Sequence, residues 1–229
     1  MKTGIYWQDP KYALRPGQDF IFDPSLVLYL SLHRLDEASF MSKDAYGHLC
    51  TVTGALWRPN GRWFDGLDDK ITVPDHAALD ITVAITMEVW TKFDTVNFNA
   101  NDSIISKGSR AGATTGYNFY PDAGNNLWMG MALDGTWTSG KIIQDLSQDT
   151  WYHLVAVYDG SNYIGYKNGA VQLSPAKTGA IVVNDIDVSI MFGGSAYMNG
   201  NIGEIRIYNR ALTPLEIQRN YLATKWRYQ

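Results

Sequence analysis

Short β-like runs separated by clear turn signals recur along most of this chain, and they constrain its fold more than any other feature. In Ile85–Trp90 every second residue is a candidate for the core, whereas Trp151–Tyr158 is largely apolar on both alternating sets, which predicts a strand covered on both sides. The sequence Lys167-Asn168-Gly169 predicts a type I′ hairpin turn, because Asn and Gly both accept positive φ. About a dozen such runs at roughly 8–16 residue spacing predict an all-β antiparallel sandwich of two sheets.

The main predicted strands are Leu26–Leu32, Lys70–Val73, Ala84–Phe93, Ser103–Lys107, Tyr117–Tyr120, Leu127–Leu133, Lys141–Gln144, Trp151–Tyr158, Tyr163–Lys167, Val188–Phe192 and Asn201–Tyr208. One short C-terminal helix is predicted over residues 213–223. Its start has the pattern of a capping box, Thr213-Pro214-Leu215-Glu216, with proline at the first helical position.

The 229 residues fit one large β domain, and we assign residues 23–229 to it. Residues 1–22 are polar and contain Pro10 and Pro16, so we expect an N-terminal arm or a lead-in strand, suited to docking on a larger assembly or to homo-oligomer formation. This segment lacks the apolar stretch of a secretory signal, and no run of apolar residues is long enough to predict membrane insertion. The single cysteine, Cys50, excludes an intrachain disulfide.

The charge of the chain limits its partners. The formal net charge is −4, whereas a nucleic-acid-binding protein is expected to carry a basic face and a polybasic segment is needed to bind an anionic membrane surface. We therefore expect a glycan or a protein surface as the partner, and neither nucleic acid nor membrane.

Four segments, in this order along the chain, resemble the laminin-G-like branch of the concanavalin A-like lectin/glucanase superfamily. They are the opening strand Leu26–Leu32, the hairpin Phe64–Val73 (FDGLDDKITV), the strand and turn Trp151–Gly160 (WYHLVAVYDG), and the closing strand Gly200–Leu212 (GNIGEIRIYNRAL). The resemblance implies a jelly-roll sandwich with a role in carbohydrate or protein recognition or adhesion. Such domains occur in secreted enzymes, on cell surfaces and in virus particles, which implies an extracellular, cell-surface or virion location.

The resemblance also implies a structural calcium ion near the second of these segments. The turn Asp65–Asp69 supplies three carboxylates, and calcium takes six to eight hard oxygen ligands. Family members add an acidic residue from the closing strand, but Gly203 stands at that position here and Glu204 follows it. We expect Asp65, Asp68 and Glu204 to hold calcium, with the polar loop Asn97–Asp102 as an alternative cation site and a solvated turn as the alternative without an ion.

A carbohydrate site requires an exposed aromatic face and a few planar polar groups. Trp137 is the first candidate because it lies in a turn-like segment, Asp134–Ser139, rather than on an obvious core face. Trp128 and Asn126 are further candidates in the preceding segment, and Tyr117 in a nearby run. For each of these aromatic residues the alternative is an ordinary packing role.

No pattern in the chain predicts catalysis. Retaining glucanases place paired carboxylates on one strand face, in the form E-x-D-x-x-E, and no such run is present. Glu88 and Glu204 each stand alone on their strands, and the four histidines lack metal-ligand spacing. We therefore predict a non-catalytic recognition or structural domain, such as a surface or virion adhesion or decoration protein of a phage or archaeal virus that binds glycans. The alternatives are a carbohydrate-binding module of a polysaccharide-degrading system and, third, a glycoside hydrolase or polysaccharide lyase.

Overall fold

The computed structural model describes residues 23–34, 37–108 and 112–228. The predicted arm, residues 1–22, lies outside these ranges, so its proposed role in docking or oligomerisation stays a prediction. Within the described residues the strands are β1 (Leu26–Ser31), β2 (Ser39–Met41), β3 (Leu49–Thr53), β4 (Leu56–Arg58), β5 (Gly61–Asp65), β6 (Lys70–Val73), β7 (Ile85–Lys92), β8 (Ile105–Lys107), β9 (Tyr117–Pro121), β10 (Leu127–Leu133), β11 (Thr136–Ile143), β12 (Trp151–Tyr158), β13 (Tyr163–Lys167), β14 (Ala170–Val171), β15 (Val188–Ile190) and β16 (Asn199–Tyr208), and the α-helix is α1 (Pro214–Thr224).

These strands form two antiparallel sheets that stack face to face. In sheet A the strand order is β14-β13-β12-β7-β16. On the side away from β7, β16 pairs with β5 along its first half and with β1 along its second half, and β4 lies beyond β5. In sheet B the order is β11-β10-β9-β8-β15-β6-β3-β2. The predicted all-β jelly-roll sandwich with one C-terminal helix is confirmed.

Apolar side chains from the two facing surfaces make the main core. In β7 the predicted inward residues Ile85, Met87 and Val89 are completely buried there. In β12 Leu154 belongs to the same core, whereas Val155 belongs to a second apolar cluster on the outer face of sheet A. The prediction that β12 is covered on both sides is therefore confirmed.

Helix α1 is the cover on the outer face of sheet A. The Thr213 hydroxyl accepts a hydrogen bond from the Glu216 backbone N–H, and the Glu216 carboxylate accepts one from the Thr213 N–H, so the predicted capping box is present. The helix ends at Thr224, one residue beyond the predicted end, and a 3-10 turn follows. Ile217 is fully buried against the outer apolar cluster, which anchors the helix to the sheet.

Two tight turns of the same type join neighbouring strands. Asn168 and Gly169 have φ angles of 54° and 79° between β13 and β14, as the sequence predicts. Asp134 and Gly135, with φ of 50° and 76°, connect β10 to β11 in the same way. Because this second turn takes only two residues, β11 begins at Thr136, and the prediction that Trp137 lies in a turn-like segment is wrong.

Candidate functional site

Three aromatic side chains lie on the outer face of sheet B, which points away from sheet A. Trp128 on β10 is paired with Tyr120 on β9, and Trp137 on β11 is paired with Ala132 on β10. Opposed residues project from the same face of a sheet, and successive residues from opposite faces. Because Phe119, next to Tyr120, lies in the inter-sheet core, these three rings point outward. We call Tyr120, Trp128 and Trp137 the aromatic platform.

The position of Trp137 depends on a glycine in the neighbouring strand. A Cβ atom on Gly130 would come within 2.5 Å of the Trp137 indole and 3.1 Å of the Tyr120 ring. The ring centroids of Tyr120 and Trp137 are 6.4 Å apart at an interplanar angle of 30°. Trp128 and Trp137 are half-buried and Tyr120 is buried. The platform therefore presents two partly exposed indoles beside a deeper phenol ring.

Asp122 fixes the edge of the platform. Its carboxylate accepts a 2.7 Å hydrogen bond from Trp128 Nε1, and others from the side-chain and backbone N–H groups of Asn126. Burial alone would raise the pKa of Asp122, but the bond from Trp128 and those from Asn126 and Gly124 outweigh it and lower that pKa. Asp122 is thus an ionised acceptor that orients Trp128, and the predicted ligand residue Asn126 is engaged in the same cluster.

The predicted ligand residue Tyr117 does not belong to this surface. Its side chain is 1% exposed and lies in the inter-sheet core, where burial, with the nearby charge of Asp80, raises the pKa of its hydroxyl. Tyr117 and Tyr120 are three positions apart on one strand, so alternation places them on opposite faces. Tyr120, which the sequence analysis did not rank as a site residue, occupies the outward position instead.

The predicted acidic turn gathers three carboxylates. Ligand atoms of Asp65, Asp68 and Asp69 all lie within 4.8 Å of one another. Burial raises the pKa of Asp69, and the charges of Asp65 and Asp68 raise it further, although a backbone hydrogen bond from Asp65 opposes them. This set of hard, negatively charged oxygens fits a calcium ion. The third carboxylate of this set is that of Asp69, whereas the sequence predicts Glu204 as the third ligand.

Glu204 is engaged elsewhere, so its assignment as a calcium ligand is wrong. Asp65 pairs with Asn199 in β16, and Glu204 lies five residues further along that strand, roughly 16 Å away at about 3.3 Å per residue. The Glu204 carboxylate is buried on the outer face of sheet A and forms ion pairs with Arg206 and Arg227.

Packing explains why glycine stands at position 203. The register of β16 against β7 shifts between Ile202 and Glu204, which makes Gly203 the extra residue of a β-bulge. A Cβ atom on Gly203 would lie 2.4 Å from the ring of Tyr228. The acidic residue expected there from the resemblance is therefore incompatible with the way the C-terminal segment packs.

A cavity of about 250 Å³ opens at the rim of the sandwich beside the acidic turn. Its lining includes Asp65, the loop residues Asn97 and Asn99, and Asn199 from the start of β16. The two segments that the sequence offers as alternative cation sites therefore face one cavity, which is polar and open to solvent. Tyr197, another lining residue, belongs to the segment between β15 and β16.

Glu88 and Glu204, two acids that the sequence analysis treated as isolated, come together on neighbouring strands of sheet A. Arg206 forms ion pairs with both, and His153 Nε2 lies 2.9 Å from the Glu88 carboxylate. Burial would raise the pKa of Glu88, but the charges of Arg206 and His153 outweigh it and lower the pKa to about 2. Asn220 of α1 donates to the same carboxylate.

These acids form a sealed ion network. Glu88 and Glu204 are each 1% exposed and Arg206 is 0% exposed. A substrate cannot reach either carboxylate while α1 and the residues after it cover this face. The ionised, arginine-bound state of Glu88 also differs from that of a general acid, which must hold a proton near neutral pH.

Comparison with known proteins agrees with the fold, and the family match includes three of the four segments that carry the resemblance. A family model described as concanavalin A-like lectin/glucanases superfamily, of laminin-G type, matches residues 64–218. No curated protein sequence matches the chain significantly. Among residues 23–34, 37–108 and 112–228, no helix combines the length and the apolar character needed to cross a lipid bilayer.

Several solved structures have a similar fold at low sequence identity. The binding domain of botulinum neurotoxin serotype G is 16% identical with a TM-score of 0.67, covering 86% of this chain and 50% of that one. The binding domain of Paraclostridial Mosquitocidal Protein 1 is 15% identical with a TM-score of 0.67, covering 86% and 52%. The chain thus spans about half the length of these toxin domains. Domain 4 of AbnA, an extracellular GH43 arabinanase from Geobacillus stearothermophilus solved with arabinotriose, is 16% identical with a TM-score of 0.66, covering 90% and 98%.

Proposed function

We propose, from the premise that the chain belongs to the laminin-G-like family of the concanavalin A-like lectin/glucanase superfamily, that it is a non-catalytic domain that binds glycans on the outer face of sheet B. The observation that carries this proposal is the aromatic platform of Tyr120, Trp128 and Trp137. Half-buried indoles offer an apolar surface to the C–H face of a sugar ring. Neither Trp128 nor Trp137 belongs to the buried clusters that hold the sandwich together.

Polar groups around the platform suit sugar hydroxyls. Lys141 is paired with Trp128, and Ser139 is paired with Gly130, so both project from the same face as the platform. Both are half-buried. A mostly apolar surface with a few well-placed polar groups is the usual composition of a small-ligand site.

The non-catalytic part of the proposal rests on the outer face of sheet A. Glu88 and Glu204 are bound by arginines and covered by α1 and the residues after it, so we assign them a structural role instead of attack on a substrate. Turnover of any polysaccharide by the pure protein would contradict this assignment.

We also propose that Asp65, Asp68 and Asp69 hold a structural calcium ion. A bound cation would oppose the burial and the repulsion from Asp65 and Asp68 that together raise the pKa of Asp69, and it would fix the turn between β5 and β6 beside the rim cavity. Its role would be to order this rim.

Two biological settings would use the same binding face. The similarity over almost the whole length of a domain from an arabinanase supports a carbohydrate-binding module of a polysaccharide-degrading system. A surface or virion adhesion protein would display the same platform on an extracellular particle. Genomic neighbours decide between them: genes for polysaccharide degradation support the first setting, and genes for capsid or tail proteins support the second.

Affinity electrophoresis against arabinan, xylan, mannan and mixed-linkage β-glucan tests the binding itself, with the acidic polysaccharide polygalacturonate included for comparison. Trp137→Ala is expected to weaken binding about 30-fold, because truncation of a binding hot spot costs on the order of 2 kcal/mol. Trp226→Ala is the matched control, since Trp226 is 67% exposed and follows α1, away from sheet B. Absence of binding to every polysaccharide, or equal affinity of Trp137→Ala and wild type, would reject the proposal.

A further inference from the structure

One row of small polar residues crosses the whole outer face of sheet B. Each of the eight strands contributes one residue, and every neighbouring pair is in direct register. From β11 to β2 the row is Ser139, Gly130, Asn118, Ser106, Ser189, Thr72, Thr51 and Ser39. Their chain neighbours, such as Phe119 and Ile190, lie in the inter-sheet core, so the row faces outward.

The row begins at the aromatic platform. Gly130, its second member, is the residue over which the Trp137 indole lies, and Asn118 is paired with Gly130. Asn118 is also two residues before Tyr120 on the same strand and therefore on the same face. The third position of the row thus lies immediately beside two of the platform rings.

Asn118 contains a buried polar group that the described part of the chain does not satisfy. Its side chain is 0% exposed; the Oδ1 atom accepts from the Ser103 hydroxyl, but Nδ2 has no hydrogen-bond partner among the described residues. If the amide were turned over, Nδ2 would contact the Ser103 hydroxyl and Oδ1 would be left without a hydrogen-bond partner. A buried donor without a partner costs about 1–3 kcal/mol, so its presence in a strand requires an explanation.

We propose that Asn118 is a specificity-determining residue of the glycan site, donating to a hydroxyl of a sugar that enters beside Trp137, and that a neutral polysaccharide chain continues from there along the row. This inference rests on the proposed glycan-binding function. The row contains hydroxyl and amide groups and no charged side chain, which suits a neutral chain. Its far members Thr51 and Ser39 are exposed and Ser189 and Thr72 are half-buried, so they are available for contacts with an internal stretch of a long ligand.

Two consequences follow for the ligand. Affinity should rise with oligosaccharide length, because a longer chain reaches more of the row. Binding should also change tryptophan fluorescence, because the sugar enters beside Trp137, whose indole lies over Gly130, the strand partner of Asn118. A ligand that only stacked on the platform would show neither a dependence on the row nor one on Asn118.

The test uses titration calorimetry on the full chain, with the neutral polysaccharide that binds in electrophoresis and its oligosaccharide series. The double variant Ser103→Ala/Asn118→Leu removes both hydrogen-bond partners and the unsatisfied donor together. We expect it to bind at least tenfold more weakly than wild type while its urea midpoint stays equal or rises, because the unsatisfied group is gone. A merely structural role for Asn118 predicts a lower midpoint with unchanged affinity, and that result would overturn the proposal.

Two further variants keep the test decisive. If the double variant fails to fold, Asn118→Thr takes its place. This variant retains a hydroxyl for Ser103 in a residue suited to strands, and we expect it to lose affinity to the same extent. Thr51→Ala, at an exposed position, should weaken binding of long oligosaccharides about three- to tenfold and leave the shortest one unaffected. Binding that is lost in Trp137→Ala but retained in both Asn118 variants rejects this inference and leaves the proposed function standing. Binding of polygalacturonate alone would refute the neutral ligand, and no binding by wild type would reject both proposals.

Discussion

Replacing Arg206 by methionine would test the ion network most directly. The substitution removes the cation shared by Glu88 and Glu204 from a completely buried position. The pKa of Glu88 falls from 4.5 to about 2 in the folded protein, which corresponds to about 3 kcal/mol of stability at ~1.4 kcal/mol per pKa unit. Breaking a buried ion pair by removing one partner costs about 3–5 kcal/mol. We therefore expect the free energy of unfolding at pH 7 to fall by about 3 kcal/mol.

The pH dependence gives the sharper signature. Because the folded-state pKa of Glu88 is lowered, its contribution is fully present above pH 4.5 and is lost as the pH falls through about 2. In Arg206→Met the charge of Arg206 no longer lowers the pKa of Glu88, so this pKa rises and the variant loses less stability than wild type when the pH falls. The difference in unfolding free energy between wild type and Arg206→Met should therefore shrink to about half between pH 7 and pH 3.

Urea unfolding followed by tryptophan fluorescence at both pH values measures this difference, provided that the m-values agree. Arg219→Met, on the exposed side of α1, is the matched control and should change stability by no more than about 0.5 kcal/mol. The reasoning is refuted if Arg206→Met costs less than about 1 kcal/mol at pH 7, or if the difference grows on acidification.

Three other predictions concern separate parts of the domain. Calcium should raise the thermal midpoint of wild type and EDTA should reverse the increase, whereas Asp68→Asn should show little response; an equal response in the variant would exclude the acidic turn as the site. Gly203→Asp should lower the free energy of unfolding, measured in urea, by about 1–3 kcal/mol or more, because the new side chain overlaps the ring of Tyr228. Unchanged stability would mean that the C-terminal segment does not pack there. Thr213→Ala should cost about 1 kcal/mol in thermal unfolding through loss of the capping box, whereas Thr213→Ser should cost little.

The sequence predicts most of the sandwich because its local signals agree with one another. Trp151–Tyr158 and Tyr163–Lys167 are strands with the predicted boundaries, since each is largely apolar or aromatic and is followed by a turn rich in Gly, Asn or Asp. The sequence does not predict most of the strands between Ser39 and Asp65. They are short, and β4 is exposed along its whole length, so burial imposes no clear alternation on its sequence.

The site was harder to predict because it depends on which face a residue occupies. Tyr117 and Tyr120 lie in a strand that is buried throughout, so composition does not distinguish its inner from its outer side. Trp128 and Trp137 were identified as candidates, but their common surface follows from the register of β10 with β11. The position of Glu204 depends on the bulge at Gly203, which no local pattern marks.

The C-terminal segment also determines how this domain can be shortened. The family match ends at residue 218, inside α1, yet Tyr228 stacks on Trp90 with ring centroids 4.4 Å apart, and Arg227 neutralises Glu204. A recombinant fragment trimmed to the family boundary would admit water to one side of sheet A and leave a carboxylate there without one of its two cations. Loss of solubility in such a fragment would then reflect the missing eleven C-terminal residues and would say nothing about the proposed glycan-binding face.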